Sequence, residues 1–240
     1  MSERGKFIVF DGVDNSGKTT VAKIISDWLE SSKVANELTH HPGSTPAGKD
    51  IRELLKHSPH TINPNAQALL FAADNSMFMN QILQPALDSG KWILGDRNNF
   101  ISSLAYQIAS GCSFEELDKV HAATSQTDKI DVLFIFRCGW AESQRRRELK
   151  GEEAPDRYED GGKEYFEKLT NCYDRIIAEQ PQRLSKFVKF SDDRMNVVYI
   201  DASKPLKDVV ADVKNSIMAY APELMQAIID RARQQSLGSQ

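Results

Sequence analysis

The apolar run Lys6-Phe7-Ile8-Val9-Phe10-Asp11 passes through Gly12-Val13-Asp14-Asn15-Ser16-Gly17-Lys18-Thr19-Thr20 into a stretch whose apolar residues recur at helical spacing. A buried strand, a glycine-rich turn and a helix must therefore follow one another closely. The turn fits G-x-x-x-x-G-K-[ST]. Its glycines let backbone N–H groups converge on phosphate oxygens, and the start of the helix adds its positive dipole end. In that geometry the backbone of Gly12 through Thr20 would cradle nucleotide phosphates, Lys18 would meet the β- and γ-phosphates, and Thr19 would hold Mg²⁺. From average residue usage the bare pattern arises by chance in roughly one chain per hundred of this size. The strand before it and the helix after it make chance a poor explanation.

The rest of the chain alternates in the same way. Phe7 to Phe10, Trp92 to Leu94, Val132 to Phe136 and Val197 to Ile200 read as buried strands, with a weaker one near Asn36 to Thr39. Thr20 to Ser31, Gly48 to Lys56, Asn65 to Asp88, Ser103 to Ala109, Phe114 to Thr124, Ala141 to Lys150, Gly162 to Glu179 and Leu206 to Tyr220 carry helical spacing. Such alternation predicts an α/β protein of the P-loop NTPase fold: a five-stranded, mostly parallel sheet with helices on both faces. Asn63-Pro64-Asn65 is a start signal for the longest helix, and Gly90 after Asp88-Ser89 a stop. Lys150 through Gly162 is charged and turn-rich, which predicts an exposed, mobile lid over about 140–162. Residues 1–220 are thus expected to form one domain. In 221–240, Leu224, Met225, Ile228 and Ile229 predict a terminal helical tail.

With 240 residues the chain has the size of a single domain. Its net charge of −4 argues against a general nucleic-acid-binding surface, although Arg145-Arg146-Arg147 forms a local basic cluster. Cys112, Cys138 and Cys172 are too widely spaced for a CxxC pair and are odd in number, which predicts free thiols in a reducing cytoplasm. No apolar run approaches the ~18 residues of a membrane span, and the N-terminal residues lack a signal-peptide layout. A soluble intracellular protein is expected.

A phosphate loop alone does not separate kinases from GTPases. A switch GTPase needs N-K-x-D after a late strand and D-x-x-G after an earlier one. Here Asp128-Lys129-Ile130-Asp131 starts with the wrong residue and precedes its strand, while Asp14-Asn15-Ser16-Gly17 lies inside the phosphate loop. A small kinase needs an acceptor-phosphate site, cations for the charge in flight and a lid against water. Asp96-Arg97 supplies the first, at the end of the strand from Trp92, where open α/β sheets present ligand groups. Arg97 can grip a monophosphate with two parallel bonds. Asp11 and Asp96, ending what should be neighbouring strands, would face the gap between the phosphates and could hold Mg²⁺ through water.

These residues carry a resemblance to the thymidylate kinase family. Phe10 through Thr20 resembles its phosphate-loop signature, and Thr39-His40-His41-Pro42-Gly43-Ser44-Thr45 stands where the family has T-R-E-P-G-G-T. Leu69-Leu70-Phe71-Ala72-Ala73-Asp74-Asn75 resembles L-L-F-A-A-D-R. Asp96-Arg97 and Ala105-Tyr106-Gln107 resemble its D-R-Y and A-Y-Q, without the tyrosine after Arg97. Asp156-Arg157-Tyr158-Glu159 resembles the D-R-x-E that closes its lid. The similarity runs from Lys6 to about Tyr220.

The resemblance implies Mg²⁺- and ATP-dependent phosphorylation of a deoxynucleoside monophosphate, normally dTMP to dTDP, by a homodimer. It places Asp11 near the sugar 3′-hydroxyl or metal, and Arg97 on the acceptor phosphate. Phe71 would stack on the base for ~1 to 3 kcal/mol, with Tyr106, Gln107, His40 and Pro42 in the acceptor pocket and Thr19 and Asp96 at the metal. Some members carry a catalytic arginine in the phosphate loop and others in the lid. Asn15 and Ser16 leave the loop without one, so Arg146 and Arg157 are expected to be catalytic, with Arg145 in reserve. Consecutive helical residues point about 100° apart, so the three arginines cannot share one phosphate. Asn75 replaces an arginine that would donate to a pyrimidine carbonyl. The amide could recognise a carbonyl through water, accept from an amino group or leave space for a 5-substituent. Asn98 and Asn99 add further amides nearby.

Overall fold

The computed structural model describes residues 4–124, 129–151, 158, 161–179, 181–191, 194–224 and 226. Strand β1 (Phe7–Gly12) is buried along its whole length and leads through the glycine-rich turn into α1 (Lys18–Ser31). After β2 (Asn36–His40) come α2 (Pro46–His57) and α3 (Pro64–Phe78), a π-helical turn (Met79–Leu83) and α4 (Gln84–Asp88). The chain continues through β3 (Trp92–Asp96), α5 (Asn99–Ala109), α6 (Phe114–Ala122), β4 (Val132–Arg137), α7 (Trp140–Lys150) and α8 (Gly162–Glu179). It ends in the short α9 (Pro181–Leu184), a small antiparallel pair β5 (Phe190–Ser191) and β6 (Arg194–Met195), then β7 (Val197–Asp201) and α10 (Leu206–Tyr220).

The main sheet has the order β2-β3-β1-β4-β7, and each adjacent pair is parallel. That is the five-stranded α/β architecture expected. Central β1, β3 and β4 are apolar on both faces because helices cover both, and Phe7, Phe10, Phe134 and Phe136 are fully buried. Because the strands are parallel, their carboxyl ends gather on one edge: Phe10 pairs with Asp96, Asp11 with Ile135 and Gly12 with Phe136. The ligand groups are assembled there.

Local chemistry sets the helix starts. The side chains of Thr45 and Asn63 each accept from an N–H three residues on, and both are followed by proline in the first turn. Ser113 and Glu116 form a complete capping box for α6. The single helix expected over Asn65 to Asp88 is instead a rod interrupted at Met79–Leu83. Pro85 has no N–H to offer the carbonyl one turn back, and the wider turn, closed by Gln84 N–H on the Met79 carbonyl, accommodates it. Cys112, Cys138 and Cys172 are buried, unpaired thiols. Among the described residues no helix is long and apolar enough to cross a membrane. Residues 152–157 and 159–160 of the expected lid, Arg157 included, and residues 225 and 227–240 of the tail lie outside the described residues.

Candidate active site

The loop after β1 is shaped by two glycines. A side chain on Gly12 would put its Cβ 2.2 Å from the Phe136 carbonyl oxygen, and Gly17 caps α1 at φ 90°. Lys18 opens the helix and folds back over the loop: its Nζ donates to the Val13 carbonyl at 2.6 Å and lies 3.3 Å from Ser16 Oγ. Ser16 itself donates to the Val13 carbonyl at 2.8 Å. Burial, with Arg97 nearby, pulls the Lys18 ammonium down to about 8. Gly12, Val13 and Ser16 are buried in the loop's base, whereas Asn15, Gly17, Lys18, Thr19 and Thr20 line a cavity of about 610 Å³.

The opposite wall of that cavity comes from the ends of β2 and β3 and from α2, α3 and α5. It includes His40, Pro42, Phe71, Asp96, Arg97 and Tyr106, so these expected acceptor-side residues do converge with the phosphate loop. Thr19 Oγ1 donates to Asp96 Oδ2 at 2.5 Å across the cavity floor. Arg97 has a left-handed backbone, φ 72°, anchored by its N–H on the Phe10 carbonyl at 2.8 Å. Its guanidinium donates to the Gly12 carbonyl at 3.0 Å, pairs with Asp14 and lies 5.3 Å from the centre of the Tyr106 ring. Tyr106 donates to the other Asp14 oxygen at 2.6 Å. Burial works to raise the Asp14 pKa, but Arg97, Lys18 and the Tyr106 hydroxyl outweigh it and hold the carboxyl below its usual value.

A match to known proteins fits this two-walled cavity. The thymidylate kinase family model matches residues 10–213. The chain belongs to the thymidylate kinase family. The thymidylate kinase of Prochlorococcus marinus (strain NATL2A) is 37% identical, over 78% of this chain and 99% of its own length. That of Pelotomaculum thermopropionicum is 35% identical over 86% and 95%, and the probable thymidylate kinase of Pyrococcus horikoshii 32% identical over 88% and 94%. As a member of the thymidylate kinase family the chain is a phosphotransferase with a P-loop.

Not every residue expected from the thymidylate kinase resemblance reaches the cavity. Asp11 is wholly buried and turned inward: it accepts from Gly12 N–H, Asn98 N–H, Ser102 Oγ and the Tyr173 hydroxyl, and its side chain does not line the cavity. The carboxylate that faces the cavity from this loop is Asp14. Gln107 is fully buried behind Tyr106, its amide nitrogen 3.5 Å from Gln67 Oε1. Asn75, one turn beyond Phe71 on α3, is 1% exposed and off the cavity wall, and neither of its amide atoms has a partner. Asn98 caps α5, accepting from Phe100 and Ile101 N–H, rather than joining a base pocket.

The three arginines of the basic cluster point in different directions. Arg146 braces the loop from behind, donating to the Ser16 carbonyl at 3.0 Å, to the Ala202 carbonyl and to Glu142. Arg145 pairs with Glu142 on the exposed side. Beside Arg146, the face of α7 toward the loop carries Ser143, Arg147 and Lys150. Ser143 Oγ donates to the Asp14 carbonyl at 3.1 Å, Arg147 borders a crevice beside Asp14 and Asn15, and Lys150 lines the cavity, donating to Asn15 Oδ1 at 2.9 Å. Their spacing was the available signal, since residues three and four apart share a helix face. Arg52 and Lys56 on α2 also line the cavity and were missed. They sit outside the ordered motifs.

Proposed function

We propose that this chain transfers the γ-phosphoryl group of ATP to the 5′-phosphate of a deoxypyrimidine nucleoside monophosphate, dTMP before others, yielding ADP and the diphosphate. The observation that carries the reading is that Lys18 and Arg97 line one cavity with Asp14 close to both. A donor phosphate chain on Lys18 and an acceptor phosphate on Arg97 then lie within one space. The bond from γ-phosphorus to the β,γ-bridging oxygen breaks as an acceptor phosphate oxygen bonds to phosphorus. The acceptor attacks as its anion, so no protein base is required. Positioning and charge neutralisation carry the catalysis.

Each wall has a part in this reading. Phe71 stacks on the base, Asp14 takes the sugar hydroxyl in place of Asp11, and Lys150 and Arg147 meet charge on the transferring group from the lid side. His40, Pro42 and Tyr106 shape the acceptor pocket. A Thr19 hydroxyl and an Asp96 carboxylate are hard oxygen donors that suit Mg²⁺, with phosphate oxygens and water completing its shell. Bound there, Mg²⁺ would neutralise phosphate charge. We take residues 1–220 as the catalytic unit, with the lid at about 140–162, in a cytoplasmic homodimer. Exposed Leu69 on α3, 58% accessible, and Leu54 on α2 support a partner face. Light scattering tests the dimer.

Asn75 favours a second reading of the acceptor, in which dUMP or a 5-substituted dUMP competes with dTMP. Its amide lies off the cavity wall, so a pyrimidine carbonyl lacks the donor that an arginine at this place would supply, which relaxes selection among pyrimidines. A panel of dTMP, dUMP, dCMP, dGMP and dAMP, read by ADP release, tests both. Turnover of pyrimidines is expected, exclusive turnover of a purine refutes them, and no release with any monophosphate indicates a binder without chemistry.

A further inference from the structure

Asp11 takes no part in lining the cavity, yet it is the most heavily bonded side chain at the edge where the site forms. Four donors converge on it: its neighbour Gly12 N–H at 2.8 Å, Asn98 N–H at 3.2 Å, Ser102 Oγ at 2.9 Å and the Tyr173 hydroxyl at 2.8 Å. The Arg97 guanidinium stands 3.5 Å from the same carboxylate. A wholly buried carboxylate is tolerable only with such partners. These donors come from the phosphate loop, the turn after β3, α5 and α8.

What they surround is the unusual backbone of Arg97. A non-glycine residue in the left-handed region is strained and persists only where its surroundings over-determine it. Arg97 is clamped by its own N–H on Phe10 and, one residue later, by Asn98 N–H on Asp11. Tyr173 is 2% exposed on α8, the helix that begins where the lid segment ends, and its raised pKa, set by burial and then Asp11, keeps the hydroxyl a donor.

We infer that Tyr173 is a positioning residue for the acceptor phosphate: its hydroxyl fixes Asp11, and Asp11 fixes the turn that aims Arg97 into the cavity. The inference rests on the proposed role of Arg97. Ser102 Oγ, bonded to the same carboxylate, acts in the same sense from α5.

Titration calorimetry on the full chain tests it, with dTMP and with a non-hydrolysable ATP analogue as separate ligands. Tyr173→Phe should weaken dTMP about tenfold while leaving the ATP analogue within twofold, and Ser102→Ala should shift dTMP in the same direction. In an Asp11→Asn background the Tyr173→Phe effect on dTMP should vanish, since both act through one carboxylate. A lowered melting temperature with dTMP affinity unchanged in both Tyr173→Phe and Ser102→Ala overturns the inference. If Tyr173→Phe does not fold, Ser102→Ala decides: Ser102 also lines the cavity, so its effect on dTMP must vanish in the Asp11→Asn background, and an effect that persists there overturns the inference. Unchanged dTMP affinity in Arg97→Ala would instead overturn the reading of Arg97, a separate outcome.

Discussion

Lys150 Nζ donates to Asn15 Oδ1 at 2.9 Å, which ties the last residue of α7 to the loop that faces the phosphates. Asn15 stands where some relatives are expected to carry an arginine, and here the cation arrives from the neighbouring helix instead. Removing one preorganised donor to transition-state charge typically costs about 10² to 10³ in turnover. Lys150→Ala should therefore lower kcat about a hundredfold at saturating ATP and dTMP. Arg145→Ala, whose side chain pairs with Glu142 on the exposed side, should stay within about threefold by the same steady-state ADP assay, as expected for a surface ion pair.

Lys18→Ala should lose roughly 10²- to 10³-fold in kcat, in line with the loss of a fixed charge at the transferring group. The fold should not suffer. Burial already pulls this ammonium down to about 8, so the charged form is a burden on the ligand-free protein. Thermal melting beside the turnover assay separates the two effects, and unchanged turnover refutes the phosphate-loop assignment.

Acid stability should be governed in part by His121. Its ring is 6% exposed, edge-on to Phe100 at 4.7 Å and to Phe187 at 5.6 Å, and burial pulls its pKa down to about 4 although Asp118 acts the other way. Between pH 6.5 and 4 the unfolded chain binds the proton and the folded chain does not, so stability falls as pH falls through that window and is complete above it. A shift of this size corresponds to roughly 3 kcal/mol. Urea unfolding at pH 7 and pH 4.5 should show a smaller loss in His121→Leu than in the unaltered chain.

Asn75→Leu should leave the melting temperature equal or a few degrees higher, because a buried amide without partners costs about 1–3 kcal/mol. If Asn75 reads the base, the ratio of kcat/KM for dTMP to that for dCMP should move by tenfold or more. An unchanged ratio places base selection on the residues that line the cavity.

The strands were legible because parallel sheets covered on both faces need continuous apolar runs, and Phe7–Gly12, Trp92–Asp96 and Val132–Arg137 supply them. The caps at Asn63 and Ser113 were written in single residues. Side-chain direction at the site was less accessible. Asp11 and Asp14 are both carboxylates in the loop region, and only the packing of Tyr173 and Ser102 against the first decides which one faces the cavity. Likewise, three adjacent arginines share a composition but not a direction, and Ser143 on the loop carbonyl sets the rotation of α7 that turns Arg146 behind and Lys150 forward. The π-helical turn escaped because a proline in a helical pattern admits several local solutions.

The left-handed turn at Arg97 has a consequence for when orientation is achieved. The fold itself holds this backbone, through the Phe10 carbonyl and the Asp11 carboxylate, with the guanidinium on the cavity wall beside Asp14. Its direction is thus established when the chain folds, and an arriving phosphate exchanges one anionic partner for another without ordering a loose side chain. Affinity for the acceptor is pre-organised, and the strain at one residue is where the fold keeps it.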